Sequence, residues 1–148
     1  FKRGESYPPS LIQLAGAHGV YLFQLQHIRS YEPLATILSD KKVLKAGVAI
    51  ADDIKHLHKL FHFKPVDFID LATLAARAGI KSAGIRSLAG LLFNCRISKS
   101  SKCSRWDAPK LTEPQVVYAA TDAWMCRELY LALERIIGTV SERYEHIP

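Results

Sequence analysis

The stretch Leu11-Ile12-Gln13-Leu14-Ala15, Gly16-Ala17-His18-Gly19, Val20-Tyr21-Leu22-Phe23-Gln24-Leu25 decides the fold class. Its first segment is largely apolar, and its last is rich in β-branched and aromatic residues, which suit a pleated, half-buried surface. Gly16-Ala17-His18-Gly19 between them reads as a four-residue loop, so the whole is expected to be an antiparallel hairpin. Pro8-Pro9 ahead of it marks a loop or an edge entry, because proline cannot donate to a strand ladder.

Beyond the hairpin the pattern turns helical. Pro33 stands just inside a short helix, Pro33 to Leu38, and Ser39-Asp40 breaks the chain. Val43 to Gly47 reads as another strand. Asp52 or Asp53 opens a helix to about Phe61, with Ile54, Leu57, Leu60 and Phe61 on one face. Phe68-Ile69-Asp70 leads into a helix over Leu71–Ala78, with Gly79 as its stop. A further helix covers Ile85–Phe93, followed by a polar, basic loop from Asn94 to Lys110. Thr112-Glu113-Pro114-Gln115 is a capping box: Thr112 bonds the Gln115 N–H while the Gln115 side chain reaches back. Pro114 is tolerated there, where a missing N–H leaves nothing unpaired. This last helix is expected to run to about Ile137, before Gly138. Strands first and helices afterwards imply a mixed α/β domain with helices packed on a small sheet.

The 148 residues suit one domain with one core. With 49% hydrophobic and 23% charged residues, the composition is that of a globular protein. No apolar run approaches a bilayer span, and the charged start Phe1-Lys2-Arg3-Gly4-Glu5 is not a secretory signal. The net charge of +6 favours polyanionic partners. Three cysteines, Cys95, Cys103 and Cys126, form no C-x-x-C pair, which points to a reducing intracellular compartment, cytoplasmic or nuclear.

Two acidic positions carry the chemistry. Asp53, in Gly47-Val48-Ala49-Ile50-Ala51-Asp52-Asp53, lies where a strand gives way to a helix, so its carboxylate can reach a cleft at the strand ends. The same position also suits a plain helix cap. Asp122 lies one helical turn after Tyr118 in Tyr118-Ala119-Ala120-Thr121-Asp122-Ala123, so phenol and carboxylate share a face. The alanines leave room for close approach of other elements, although a surface Tyr–Asp pair would read the same way.

Taken together, these segments resemble the DEDDy group of 3′→5′ exonucleases, the group of RNase D and the Werner helicase exonuclease domain. Lys45 to Asp53 looks like the second motif of the group. Asp70-Leu71 resembles its Asp-Leu pair, and Ser87-Leu88-Ala89, Lys99, Ser104-Arg105-Trp106, Leu111, Gln115 and Tyr118 to Ala123 follow the approach to its third motif. The resemblance implies an RNase H-like fold with a mixed sheet flanked by helices. It implies hydrolysis of phosphodiester bonds at a nucleic-acid 3′ end with Mg2+ or Mn2+ in a two-metal site. Asp53 and Asp122 would be metal ligands, and Tyr118 would orient the attacking water. The first motif of the group, an Asp-x-Glu on the strand before the hairpin, is not in these 148 residues, so residues 1–148 are expected to be a single domain lacking that strand. The alternative is a nucleic-acid-binding or interaction module that keeps the fold without the catalysis. DNA and RNA both remain open as substrates.

In the loop, Arg96, Lys99, Lys102, Arg105 and Lys110 stand against one acid, Asp107. Lys99, Lys102 and Arg105 are the expected phosphate contacts. Trp106 reads as an anchor for the loop, or else as a base-stacking platform. His56, His58 and His62 read as a solvated helix face among lysines, and Cys126 as buried packing.

Overall fold

The computed structural model describes residues 8–82, 84–99 and 105–145. The hairpin forms as β1 (Leu11–Gly16) and β2 (Gly19–Gln24), in a register from Leu11 opposite Gln24 to Gly16 opposite Gly19. Its turn is tighter than the four-residue loop expected from the sequence: both glycines join the ladder, leaving only Ala17 and His18 to reverse the chain. A short 3-10 turn, Leu25–His27, leads to α1 (Glu32–Ser39), which has proline in its first turn.

β3 (Lys45–Gly47) and β4 (Phe68–Asp70) pair in parallel, joined by a crossover that contains α2 (Ile50–His58). α2 starts earlier than the sequence suggested. Its N-cap is Ala49, held in the left-handed region at φ 55°, so neither Asp52 nor Asp53 serves as the cap. For a non-glycine residue that conformation costs about 1–2 kcal/mol. Gly47 makes the bend possible in a second way: a Cβ there would lie 3.2 Å from the Ile50 side chain.

α3 (Leu71–Arg77) is capped by Asp70, whose carboxylate accepts from the Ala72 N–H at 2.9 Å, and Gly79 at φ 76° follows as its stop. α4 (Ile85–Phe93) has the expected bounds, ending on Asn94 in the left-handed region. α5 (Glu113–Glu145) begins with the expected capping box: the Gln115 N–H donates to Thr112 Oγ1 at 3.4 Å, and the Thr112 N–H donates to Gln115 Oε1 at 2.9 Å. It does not stop at Gly138 but continues past it. A single glycine costs a helix only about 1 kcal/mol, too little to end one.

α5 packs against α3, α4 and three of the strands. Its Met125, Leu129 and Leu133 are buried with Leu71, Leu74 and Ala75 of α3 and Leu88 and Ala89 of α4. A second cluster, Ile12, Leu25 and Leu34, holds the hairpin to α1, with Leu57, Leu60 and Phe61 packed on it. Burying one leucine side chain stabilises the fold by about 1.5–3 kcal/mol. The sheet is mixed in kind, but among the described residues it is divided into an antiparallel pair and a parallel pair. No helix among them is long and apolar enough to cross a membrane.

Leu129 is fully buried between α3 and α4. Leu129→Ala is expected to cost about 2–5 kcal/mol through the cavity it leaves, measured by urea unfolding. A loss under about 1 kcal/mol would show that α5 is not the centre of the core.

Candidate active site

The division of the sheet leaves β1 and β3 each with one unpaired edge, and a groove of about 660 Å3 lies between them. Gln13 to Gly16 of β1 form one wall, Val43 to Val48 around β3 form the other, and Asp122, Ala123, Cys126 and Tyr130 of α5 also line it. Asp53 and Ile85 line it as well. Tyr21, Val43 and Leu44 add exposed apolar surface along its sides.

Both expected carboxylates therefore line one groove. Asp53 is carried there by the first turn of α2, aimed by the bend at Ala49. Asp122 comes from α5, whose orientation is fixed by the buried seam beneath it. Neither forms an ion pair among the described residues. Partial burial raises the Asp53 carboxyl above its usual range even though part of its surface stays exposed; His56 offsets this, while Asp52 and Asp70 add to it. Burial likewise raises the Asp122 carboxyl, and the Arg86 guanidinium offsets part of the effect. Cys126 reports on both: burial first, then the charges of Asp122 and Asp53, push its thiol up to about 11, against a backbone hydrogen bond at Val48.

These two carboxylates fit part of a hard-cation site. Both line the same groove without a cationic partner at ion-pair distance among the described residues, and their oxygens are the donor type that Mg2+ and Mn2+ prefer. They are two ligands of the six or more oxygens such an ion takes. No group of three or more His, Cys, Asp or Glu able to hold a metal occurs among the described residues.

Tyr118 is half-buried one turn before Asp122 but does not line the groove itself. Its hydroxyl accepts a hydrogen bond from Arg86 Nη2 at 3.2 Å, and its ring lies 5.9 Å from Trp106. Trp106 thus packs the loop onto α5, which agrees with its reading as an anchor. The loop is held further by Gln115 Nε2, which donates to the Arg105 carbonyl at 3.1 Å, and by Gln24 and Gln26, which both donate to the Ala108 carbonyl. Lys99 and Arg105 are exposed, Arg105 facing Asp107 at 3.5 Å, and neither lines the groove. Lys102 and the segment Phe1 to Glu5 lie outside the described residues. The His58 and His62 rings stack 6.3 Å apart, and His58 Nε2 sits 3.0 Å from the Phe63 carbonyl, which suits a surface role. Sequence reasoning missed Arg86 and the placement of Cys126. Arg86 carried no signal beyond being a cation at the start of an apolar helix.

Residues 9–138 match the 3′-5′ exonuclease family. Exonuclease 3′-5′ domain-containing protein 2 of Drosophila melanogaster is 33% identical over 136 residues, covering 89% of this chain and 23% of that protein. The bifunctional 3′-5′ exonuclease/ATP-dependent helicase WRN of Mus musculus is 34% identical, covering 94% of this chain and 10% of the relative. The crystal structure of Escherichia coli RNase D, described as an exoribonuclease involved in structured RNA processing, superposes with a TM-score of 0.83 at 30% identity; the match covers 94% of this chain and 38% of RNase D. The chain thus spans well under half the length of each of these proteins.

The shared groove has a chemical signature that needs no metal to observe. Asp122→Asn removes a negative charge facing Cys126, so the thiol is expected to ionise more readily and to react severalfold faster with a disulfide reagent at pH 8. The rate would be followed by mass spectrometry of the Cys126 peptide in folded protein. An unchanged rate would separate Asp122 from Cys126.

Proposed function

The chain belongs to the 3′-5′ exonuclease family, and from that premise we propose that it hydrolyses phosphodiester bonds at nucleic-acid 3′ ends with divalent metal ions. One observation carries the reading: Asp53 and Asp122, brought from two distant elements, line a single groove and have no ion-pair partner among the described residues. Burial raises both carboxyls, and a cation bound by them would favour their charged forms.

Asp53 and Asp122 would hold the metal ions through their carboxylate oxygens. When bound, Mg2+ or Mn2+ supplies positive charge against the attacking and leaving oxygens of a phosphodiester. Tyr118, one turn from Asp122, orients a water for attack on phosphorus through its hydroxyl. As the new P–O bond forms, the bond to the leaving oxygen of the chain breaks; the water's hydroxyl stays on phosphorus and its proton ends on the leaving oxygen, giving a phosphate and a free hydroxyl. Lys99, Lys102 and Arg105 hold phosphates of the strand and supply the salt-dependent part of its affinity. The half-buried ring of Trp106 against Tyr118 supports this placement by tying the basic loop to the helix that bears the phenol.

The remaining ligands are proposed to come from a strand of the longer protein that carries the Asp-x-Glu motif. This is supported by β1 and β3, which both line the groove and each have one edge unpaired among the described residues. Such a strand would join the two small sheets and bring its carboxylates beside Asp53 and Asp122.

A time course on a 5′-labelled oligonucleotide with Mn2+ tests the reading, using this chain and a version extended upstream. Stepwise shortening from the 3′ end is expected in the extended protein, and Asp53→Ala or Asp122→Ala should abolish it. Tyr118→Phe is expected to slow cleavage on the order of a hundredfold with little change in binding. Wild-type cleavage by either aspartate variant would end the two-metal assignment. Binding without any cleavage would favour a module that keeps only the fold.

A further inference from the structure

Arg86 is a cation near the groove that has a buried donor without a hydrogen-bond partner among the described residues. It occupies the second position of α4, directly after Ile85, which lines the groove. Its Nη2 donates to the Tyr118 hydroxyl at 3.2 Å and to the Ser98 carbonyl at 3.4 Å. Both are longer than a typical N–H···O bond. Its Nε is buried and has no hydrogen-bond partner among the described residues. No carboxylate among them comes within ion-pair distance of the guanidinium.

A guanidinium has five donors in a planar fork, shaped to meet two oxygens of one carboxylate or phosphate. Among the described residues one nitrogen is used, by two long bonds, while a buried donor stands unmatched and the charge is offset only by Asp122, which lies beyond ion-pair distance. That is an expensive way to tie a tyrosine to a loop, and a neutral amide could make the same two bonds. The missing partner is an anion with several acceptor oxygens. The site lies between the Tyr118 hydroxyl and the loop of Lys99 and Arg105, beside the groove that Asp122 lines.

We infer that Arg86 is a phosphate-binding residue: its fork engages the non-bridging oxygens of a phosphodiester in the nucleic-acid strand and positions that strand against Tyr118. The inference rests on the exonuclease reading for its ligand, and adds to it a contact outside the basic loop. The bonds to Tyr118 and Ser98 keep the side chain in place before the strand arrives, which limits the ordering cost of binding.

Affinity for a fluorescein-labelled single-stranded oligonucleotide, measured by anisotropy in EDTA across a salt series, tests this without cleavage. Arg86→Met is expected to weaken binding about tenfold and to lower the salt dependence by about one phosphate contact. Arg86→Lys keeps the charge and should keep the salt dependence while losing part of the affinity. Tyr118→Phe removes the phenol partner but should leave affinity within about twofold. Competition by a nucleoside 5′-monophosphate separates capture of a terminal phosphate from capture of the strand; the inference expects the strand to bind far more tightly. Wild-type affinity and salt slope in Arg86→Met would overturn it. So would equal weakening by Arg86→Met and Tyr118→Phe, which would make the arginine a structural tie, and so would a wild type that does not bind the strand. Cleavage in Mn2+ is scored separately. If Asp122→Ala abolishes cleavage while Arg86→Met binds normally, only the Arg86 inference fails. If Arg86→Met loses affinity while cleavage ignores Asp122→Ala, only the exonuclease reading fails.

Discussion

The burial of Met125, Leu129 and Leu133 of α5 against α3 and α4 sets the position of everything chemical in this molecule. α5 also touches β1, β2 and β3, so one long helix fixes the distance between the two small sheets. Asp122 and Tyr118 ride on its first half, and the capping box at Thr112 and Gln115 fixes where that half begins. An isolated two-stranded sheet is marginal in water. Each pair of strands here packs against helices, and both pairs touch α5.

The second constraint is the bend between β3 and α2. Gly47 allows Ile50 to approach within 3.2 Å of where a Cβ would stand, and Ala49 takes up a left-handed conformation. Backbone strain of this kind persists where the surroundings over-determine it, and it gathers at functional sites. Here its effect is to turn the first turn of α2 so that Asp53 lines the groove that Asp122 also lines. Core packing supplies the rigidity, and the strained bend supplies the aim.

Much of this was legible in the sequence where a local rule decided the outcome. The bounds of α4 were readable ahead of the polar loop that follows it, the α5 start from its capping box, and β4 with α3 from a short apolar piece and the glycine stop at Gly79. Local rules failed where tertiary context outweighed them. Gly138 did not stop α5, and the caps expected at Asp52 or Asp53 gave way to Ala49. The juxtaposition of Asp53 and Asp122 had been readable only through the family resemblance, since nothing in spacing brings two segments so far apart together. The groove and the orphaned Arg86 Nε were not legible at all: one is a gap between sheets, and the other depends on where three separate segments meet.

Asp53 and Asp122 are proposed to bind one cation together. Titrating trace Mn2+ into the 15N-labelled protein and mapping the loss of amide signals tests it most directly, because paramagnetic broadening falls off steeply with distance from the ion. Signals around Asp53 in α2 and Asp122 in α5 are expected to disappear together, ahead of the rest, and Asp122→Ala to prevent the loss at both. Broadening centred on His58 and His62, or at one aspartate without the other, would contradict it.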